Sequence, residues 1–486
     1  MRFTVGEKTK CISFCGVVPQ IIEGEWTRRE IDFYSSHLRA VGLQQIIIGL
    51  YGGWCSPYLA ILVADDSPIK ITFDQATWIS SLWKLGSILG CILSILSVDI
   101  VGRKSIILFC LIPNVLSWVI TAWASSVNDF YVARFVGGIT SGTMLMVGPT
   151  YLSECSPPLL RKSLSVYYFL LSLFGCLMGY TLGAFLEISR YSYVAIGLSI
   201  FQAAIFICLP ETPYHLIRKK RYVDASKALR LLRGCNNIRE ELDSIMRSVE
   251  SEPRNAGICV ILREILIRPG GKREFLIGTS LMAAHALSGL QLLVTYAGIL
   301  FNAMDNPIMP GKYLSIILMI VYICGVVVYM YLVDLVGRKP MCLISTTVVI
   351  ISAITAGTYF FLSSYAMKGY DFSNYTVIPV IAVFFYVLGG SLGLANVSIT
   401  VVSEIFPMYS KVTCVNFCSI ISSICSFVLL KSWSLIITRL GLDFMFWIFA
   451  CLNIFNLSLF VFFVPATINK GLYQISDIPS FNYQKL

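Results

Sequence analysis

Long apolar runs, each closed by a charged cluster or by turn residues, recur twelve times along the chain. They occupy 40–63, 76–98, 105–125, 129–152, 163–186, 191–210, 275–301, 312–333, 341–363, 376–402, 409–438 and 444–464. A helix needs about 20 mostly apolar residues to cross a bilayer, and every run reaches that length. The pattern predicts an all-α integral membrane protein with twelve transmembrane helices. A shorter apolar stretch, Cys11 to Ile22, cannot span and has no convincing cleavage site. It reads as part of a tail, with Cys11 and Cys15 as acylation candidates.

Composition agrees: 486 residues are 56% hydrophobic and only 13% charged. That excludes a secreted disulfide scaffold, a disordered chain and an ordinary cytosolic enzyme. Residues 1–39 and 211–274 hold 34 of the 64 charged side chains. The net charge of +10 belongs to loops and tails, so it fixes topology and implies no nucleic-acid partner. With an even number of spans both ends share one side, and 29 of the 37 Lys and Arg lie there, against five opposite and three within spans. Both termini are therefore expected in the cytoplasm. The sequon at Asn374 falls in the loop between spans nine and ten, on the side this topology places outside, and is the expected glycosylation site. Sequons at Asn396 and Asn456 fall within spans.

The expected organisation is a tail (1–39), six spans (40–210), a charged linker (211–274), six more spans (275–464) and a second tail (465–486). The halves repeat. Asp99-Ile-Val-Gly-Arg-Lys104 returns as Asp334-Leu-Val-Gly-Arg-Lys339, each joining the second and third spans of its half. Ser153-Glu154 with Arg161 returns as Ser403-Glu404 with Lys411, and Pro210-Glu211-Thr212 as Pro465-Ala466-Thr467. Three motifs in one order at matching spans point to two parallel six-helix pseudo-repeats.

The repeated motifs couple carboxylates to cations at helix ends. Asp99 can pair with Arg103, and Glu154, two turns before Arg161, can meet basic residues of neighbouring helices. Asp99, Arg103, Glu154, Arg161, Glu211, Asp334, Arg338, Glu404 and Lys411 are the candidate cytoplasmic gate, a latch that forms and breaks as helix ends converge and separate. Arg134 lies near the other end of span four, so it belongs to the outer half. Two lysines, Lys84 and Lys431, fall within spans, where a charge must snorkel or line water, and Lys84 is expected to snorkel. The sixteen cysteines sit mostly inside apolar runs and read as small buried hydrophobes. None lies near His37, His215 or His285 at metal-ligand spacing, and no metal or cofactor is expected.

As a set these motifs resemble the sugar-porter branch of the major facilitator superfamily, nearest the insect facilitated trehalose transporters. The matching pieces are both Asp-x-Val-Gly-Arg-Lys loops, Tyr151-x-x-Glu154-x-Ser-Pro-x-x-x-Arg161, Pro210-Glu-Thr-Pro, Ser288-Gly289 followed by Tyr296, Glu404-Ile-Phe-Pro407 and Val464-Pro465. The resemblance implies a central cavity with most sugar-recognising side chains in the second half. The usual set is changed: the family's Gln-Gln reads His285-Ala286, its next Asn reads Gln291, the Gln of span five falls on Phe169 and the Asn of span eight on Tyr322. Its Pro-Ile-Pro-Trp reads Asn396-Val-Ser-Ile399. The candidate substrate contacts are His285, Gln291, Tyr296, Tyr322, Ser391 and Asn396, uncharged donors and acceptors suited to a small neutral polyhydroxylated solute.

Proton-coupled relatives carry an Asp in span one where this chain reads Leu50, and residues 40–63 contain no acid. No phosphate-binding Gly-x-x-x-x-Gly-Lys motif occurs. The expectation is passive uniport of a sugar such as trehalose or a hexose in the plasma membrane, with a single chain sufficing. The alternative is a transporter-like receptor that binds solute without moving it. No nucleophile, base and orienting acid come together as an enzyme would require.

Overall fold

A computed structural model describes residues 28–67, 69–157, 161–233, 238–251, 267, 271–304, 309–366, 375–406 and 411–463. Asn374, Cys11, Cys15 and the tail from 464 onward lie outside the described residues, as do the side chains of Asp334, Glu404 and Lys411. All described regular structure is helical. Twelve helices are long and apolar enough to span: Val41–Val63, Phe73–Val101, Arg103–Ala122, Val127–Cys155, Leu164–Phe185, Ile188–Cys208, Gly271–Thr295, Gly311–Val333, Arg338–Ser364, Val377–Val402, Thr413–Leu440 and Leu442–Phe462, called spans 1 to 12 below. They fall where the apolar runs place them. Between spans 6 and 7 the linker forms short helices Pro213–Arg218, Tyr222–Arg233 and Arg239–Ser251, which share an apolar cluster of Leu216, Ile217, Leu229 and Ile245. The membrane end that carries this linker is called the linker face, and its opposite the far face.

Spans 2 and 4 start at the far face with closed caps. The Thr72 hydroxyl accepts from the Gln75 amide at 3.2 Å while the Thr72 amide donates to Gln75 Oε1 at 2.8 Å. Ser126 and Asp129 repeat the arrangement. These side chains satisfy amides that the first turn of a helix leaves without partners.

Inside the first half, glycines four residues apart set the packing. Gly49 and Gly53 of span 1 face Gly175 and Gly179 of span 5, and Gly86 and Gly90 of span 2 face Gly138 and Gly142 of span 4. A Cβ on Gly49 would strike the Ser172 carbonyl, and one on Gly142 the Ser87 carbonyl. Small residues at this spacing let two backbones touch, which is how helices associate where lipid removes the hydrophobic drive. The second half packs more through side chains: Gly278 meets the Phe406 ring, and Gly325 meets Ser391. Its helices are also broken. Span 7 stops at Leu287 and resumes at Leu290 around Gly289, whose φ of 83° is open to glycine and strained for other residues. Span 10 passes through a π-helical turn at Gly390–Leu394.

The repeat is visible in the backbone. Gly102 (φ 100°) and Gly337 (φ 89°) end spans 2 and 8 with the same turn. The lysines that follow act alike: Lys104 Nζ donates to Ile207 O at 2.8 Å, and Lys339 Nζ to Val461 O at 2.7 Å.

Gly142→Leu is expected to destabilise the protein by about 2 kcal/mol or more, since backbone blocks the new side chain. Gly197, with nothing within 4 Å of an added Cβ, is the internal control. Gly197→Ala should leave the unfolding temperature in detergent unchanged or slightly raised. Equal melting of both variants would refute the packing argument.

Candidate functional site

At the linker face, Arg103 opens span 3 immediately after the Gly102 turn and is only 4% exposed. Its guanidinium meets Asp99 at 3.2 Å and Glu154 of span 4 at 3.1 Å, and donates to Val98 O at 3.3 Å. The same guanidinium lies 3.3 Å from His215 Nδ1. Arginine has no lone pair to offer, so Nδ1 accepts and the ring proton sits on Nε2. Burial, then the Arg103 charge, hold the His215 pKa below the usual histidine value and keep the ring neutral. Asp99 also pairs with Arg218 of the linker. Glu211 Oε1 accepts the Lys104 amide at 3.0 Å, capping span 3, and its carboxylate fills the space a Cβ on Gly102 would need.

Arg161 stands apart from Glu154: it donates to Ser156 O at 3.3 Å and to Tyr214 Oη at 3.1 Å. The linker is further tied down by Arg233, which donates to Cys155 O at 2.9 Å and grips Glu241 through two nitrogens. The structure therefore joins Asp99, Arg103 and Glu154, sets Glu211 alongside, and adds His215, Arg218 and Arg233. His215 was visible in the sequence only as an isolated histidine near the Pro210-Glu-Thr-Pro motif, with nothing to pair it with a residue 112 positions away.

At the far face, a different set of bonds crosses between the halves. Lys431 Nζ of span 11 lies 2.6 Å from Asp74 Oδ1 at the start of span 2, and Ser434 Oγ donates to the same oxygen at 2.9 Å. Lys431 also reaches Thr77 Oγ1 at 3.4 Å and stands 4.5 Å over the Trp78 ring. Tyr296 is 1% exposed: its hydroxyl bonds Ser80 of span 2 and donates to Leu430 O at 3.2 Å, and its ring stacks on Trp433 at 3.8 Å. The Gly298 amide donates to Ser56 Oγ of span 1 at 3.0 Å, and Tyr180 of span 5 donates to Val294 O. Tyr296 thus belongs to a closed seam, with its hydroxyl already occupied. Lys431 ends in an ion pair at that seam. Asp74 follows the Thr72 cap, and no spacing rule links it to a lysine 357 residues on.

The remaining candidates divide. Ser391 is fully buried and donates to Leu388 O in its own helix, and Asn396 donates to Ser391 O at 2.6 Å across the π-helical turn. Both side chains are spent on the irregular backbone of span 10. His285, Gln291 and Tyr322 are half-buried. His285 Nδ1 has no hydrogen-bond partner, and the Gln291 amide makes only a long contact to Thr295 at 3.4 Å. Gln291 opens the short segment Leu290–Thr295 that follows the break in span 7, the kind of helix discontinuity at which transporters place their sites.

Arg134 and Lys84, like Lys431, lie away from the ends of their spans. Arg134, 2% exposed, donates to Tyr51 O at 3.1 Å and to Cys55 Sγ, with its guanidinium 4.8 Å from the Trp54 ring and 5.8 Å from that of Trp83. Leu50, one residue before, offers no carboxylate. Lys84 is half-buried in the middle of span 2, with its ammonium 5.1 Å over the neighbouring Trp83 ring. An ammonium at a span centre costs about 2.5–3.5 kcal/mol and persists where it lines protein or water. Asn396 and Asn456, at 7% and 2% exposed, are closed to glycosylation. Of the described cysteines, seven are buried, Cys176 and Cys425 are half-buried, and Cys208, Cys324 and Cys451 are exposed on the helix surfaces.

Residues 70–478 match the model of the family described as "Sugar (and other) transporter". The facilitated trehalose transporter Tret1 of Bombyx mori is 27% identical over 90% of this chain and 85% of its own length. Tret1 of Aedes aegypti is also 27% identical, and there the match spans 54% of the relative. Among solved structures, the inward-open xylose transporter XylE from E. coli superposes with a TM-score of 0.73 at 18% identity, covering 91% of this chain and 99% of that one. The human organic anion transporter MFSD10 gives 0.59 at 15% identity, covering 88% and 99%. The first six and last six spans, the twin Gly102 and Gly337 turns and the family match together place this chain, a multi-pass integral membrane protein, in the sugar-porter family of the major facilitator superfamily.

Proposed function

We propose that the protein is a facilitative carrier for a sugar such as trehalose or a hexose, moving it down its gradient by alternating access. The observation that carries this reading is the far-face seam. Lys431 with Asp74, Tyr296 with Ser80 and Gly298 with Ser56 tie the two halves together at one membrane end. The Arg103 cluster at the other end draws its partners from the first half and the linker. Polar contacts of this kind close one gate while solute enters through the other. The family match and the trehalose-transporting relatives support a sugar as the solute.

Uniport is supported by span 1. In place of a titratable acid beside Arg134 stands Leu50, 1% exposed, and the guanidinium meets a carbonyl, a thiol and two indole faces, with its Nε left without a hydrogen-bond partner. The linker face is assigned to the cytoplasm, because the linker carries fourteen basic residues and the Asn374 sequon lies in a far-face loop. A sequon on the outward side supports a membrane of the secretory route, and we take the plasma membrane as the site of a sugar carrier.

Counterflow in proteoliposomes is the direct test. Vesicles preloaded with trehalose or glucose should take up labelled sugar without a pH gradient. Uphill uptake driven by protons would defeat uniport, and binding without exchange would make the protein a receptor. Lys431→Met is expected to loosen the far-face seam. Alkylation of a cysteine placed at Ser434, read in an otherwise cysteine-free background, should then speed up roughly tenfold, as loss of a charge-assisted bond implies. Unchanged labelling would remove the ion pair from the gate. Glu154→Gln should slow exchange more than it weakens sugar binding, and unaltered flux would argue against the linker-face latch.

A further inference from the structure

The linker meets the first six spans through its first short helix. Pro213 opens that helix, and the Thr212 hydroxyl accepts the His215 amide at 3.3 Å, which fixes the first turn beside the loop joining spans 2 and 3. There His215 Nδ1 lies 3.3 Å from the Arg103 guanidinium, and a Cβ on Gly102 would touch Nε2. Both partners are buried, His215 at 6% exposed and Arg103 at 4%.

A guanidinium can only donate. The bond therefore exists only while Nδ1 keeps its lone pair. A proton taken up there removes the acceptor and sets two cations against each other in a buried place, where solvent and salt screen little. Arg218 and Lys219 follow one turn on in the same helix and add to the positive charge. Of the acids, Glu211 lies beside Nε2 over the Gly102 turn, with Oε1 already accepting the Lys104 and Thr212 amides at 3.0 Å each. Asp99 of span 2 and Glu154 of span 4 are paired with Arg103, and Asp99 also holds Arg218. The two later linker helices pack on Pro213–Arg218 and bring Arg233 paired with Glu241 and Asp224 paired with Arg221. Their other charged side chains, among the described residues, are exposed. Burial and then the Arg103 charge hold the His215 pKa below its ordinary 6.5, with Glu211 pulling the other way.

We propose that His215 is a proton-sensitive clasp between the linker and the first six spans. Neutral, it accepts from Arg103 and holds the helix Pro213–Arg218 against the turn between spans 2 and 3. When Nδ1 takes a proton from water at the linker face, that bond is lost, and the helix lifts His215 and Arg218 away from Arg103 and Asp99. The closed clasp favours the neutral ring, so its hold is complete above the ordinary histidine value and weakens as the pH falls below it. Acidity at the linker face thus frees the Arg103 cluster. The consequence for transport rests on reading that cluster as a gate, whereas the clasp itself does not.

Hydrogen–deuterium exchange of the purified full chain in detergent reads the clasp directly, with labelling times scaled for the intrinsic pH dependence of amide exchange. Between about pH 7.5 and about pH 5.5 the amides of 214–219 should lose protection roughly tenfold, the size of one hydrogen bond to a charged group. Those of spans 2 and 4 should keep theirs. His215→Asn places a non-titrating amide oxygen near the position of Nδ1 and should stay protected at both pH values. His215→Lys, a fixed cation, should be loosened at both. Wild-type protection that ignores pH overturns the proposal, and so does a loss shared by all the spans. An equal loss in His215→Asn also overturns it, since the titrating group is then one of the neighbouring acids. Sugar counterflow separates this from the carrier reading. A chain that moves no sugar yet shows the pH-dependent protection defeats the carrier and leaves the clasp standing, and exchange with a pH-insensitive linker does the reverse.

Discussion

A polar group inside a bilayer must find its partner within the protein, because lipid offers none. In this chain that constraint decides where the halves touch. Among the described residues, the Lys431 ammonium pairs with one carboxylate, Asp74 on the first turn of span 2. The Tyr296 hydroxyl takes Ser80 and a backbone carbonyl of span 11. Aromatic faces complete the seam: Trp433 stacks on Tyr296 and meets Phe73, and Trp78 lies under the Lys431 ammonium. These polar contacts sit at the edge of an apolar cluster shared by both halves, which brings Trp54, Tyr58 and Leu62 of span 1 together with Leu293, Leu300 and Leu430 of the second half.

The two halves divide the mechanical labour. The first is welded along its helix pairs by backbone contact at Gly49, Gly53, Gly86, Gly90, Gly138, Gly142, Gly175 and Gly179. It behaves as a block, and its charged cluster around Arg103 is anchored to the linker through Asp99, Arg218 and His215. The second half carries the irregularities, with the break at Gly289 in span 7 and the π-helical turn in span 10. Ser391 and Asn396 are consumed in stabilising that turn, whereas His285 and Gln291 flank the break with hydrogen-bonding capacity to spare. Duplication set the common frame, and divergence between the copies placed rigidity on one side and adaptable backbone on the other.

The two copies also differ at their linker-face ends. Lys104 and Lys339 bond equivalent carbonyls, so the turn after each Gly-Arg-Lys is preserved. In the first copy Glu211 caps span 3 through the Lys104 amide, and the second copy has Ala466 at the matching position. The carboxylate is therefore dispensable for the turn itself. It serves the linker, whose first helix begins beside it at Pro213 and delivers His215 and Arg218 to the cluster.

Twelve spans, their order, the repeat and the family were legible in the sequence because hydropathy, charge bias and motif order are local properties, each read over a few tens of residues. The glycine contacts came to light only in the packed helices, where one backbone meets another. So did the charged partners. Glu154 is seven residues from Arg161 in the sequence, yet its guanidinium comes from Arg103, because the end of span 4 packs beside the turn between spans 2 and 3. Lys431 could be placed inside the membrane from its apolar neighbours, but only the docking of the two halves sets it against Asp74. Sequence fixes which residues are in the membrane and which way each helix runs. Which charges meet depends on how the helices rotate about their axes and dock, and that is decided by packing between segments hundreds of residues apart.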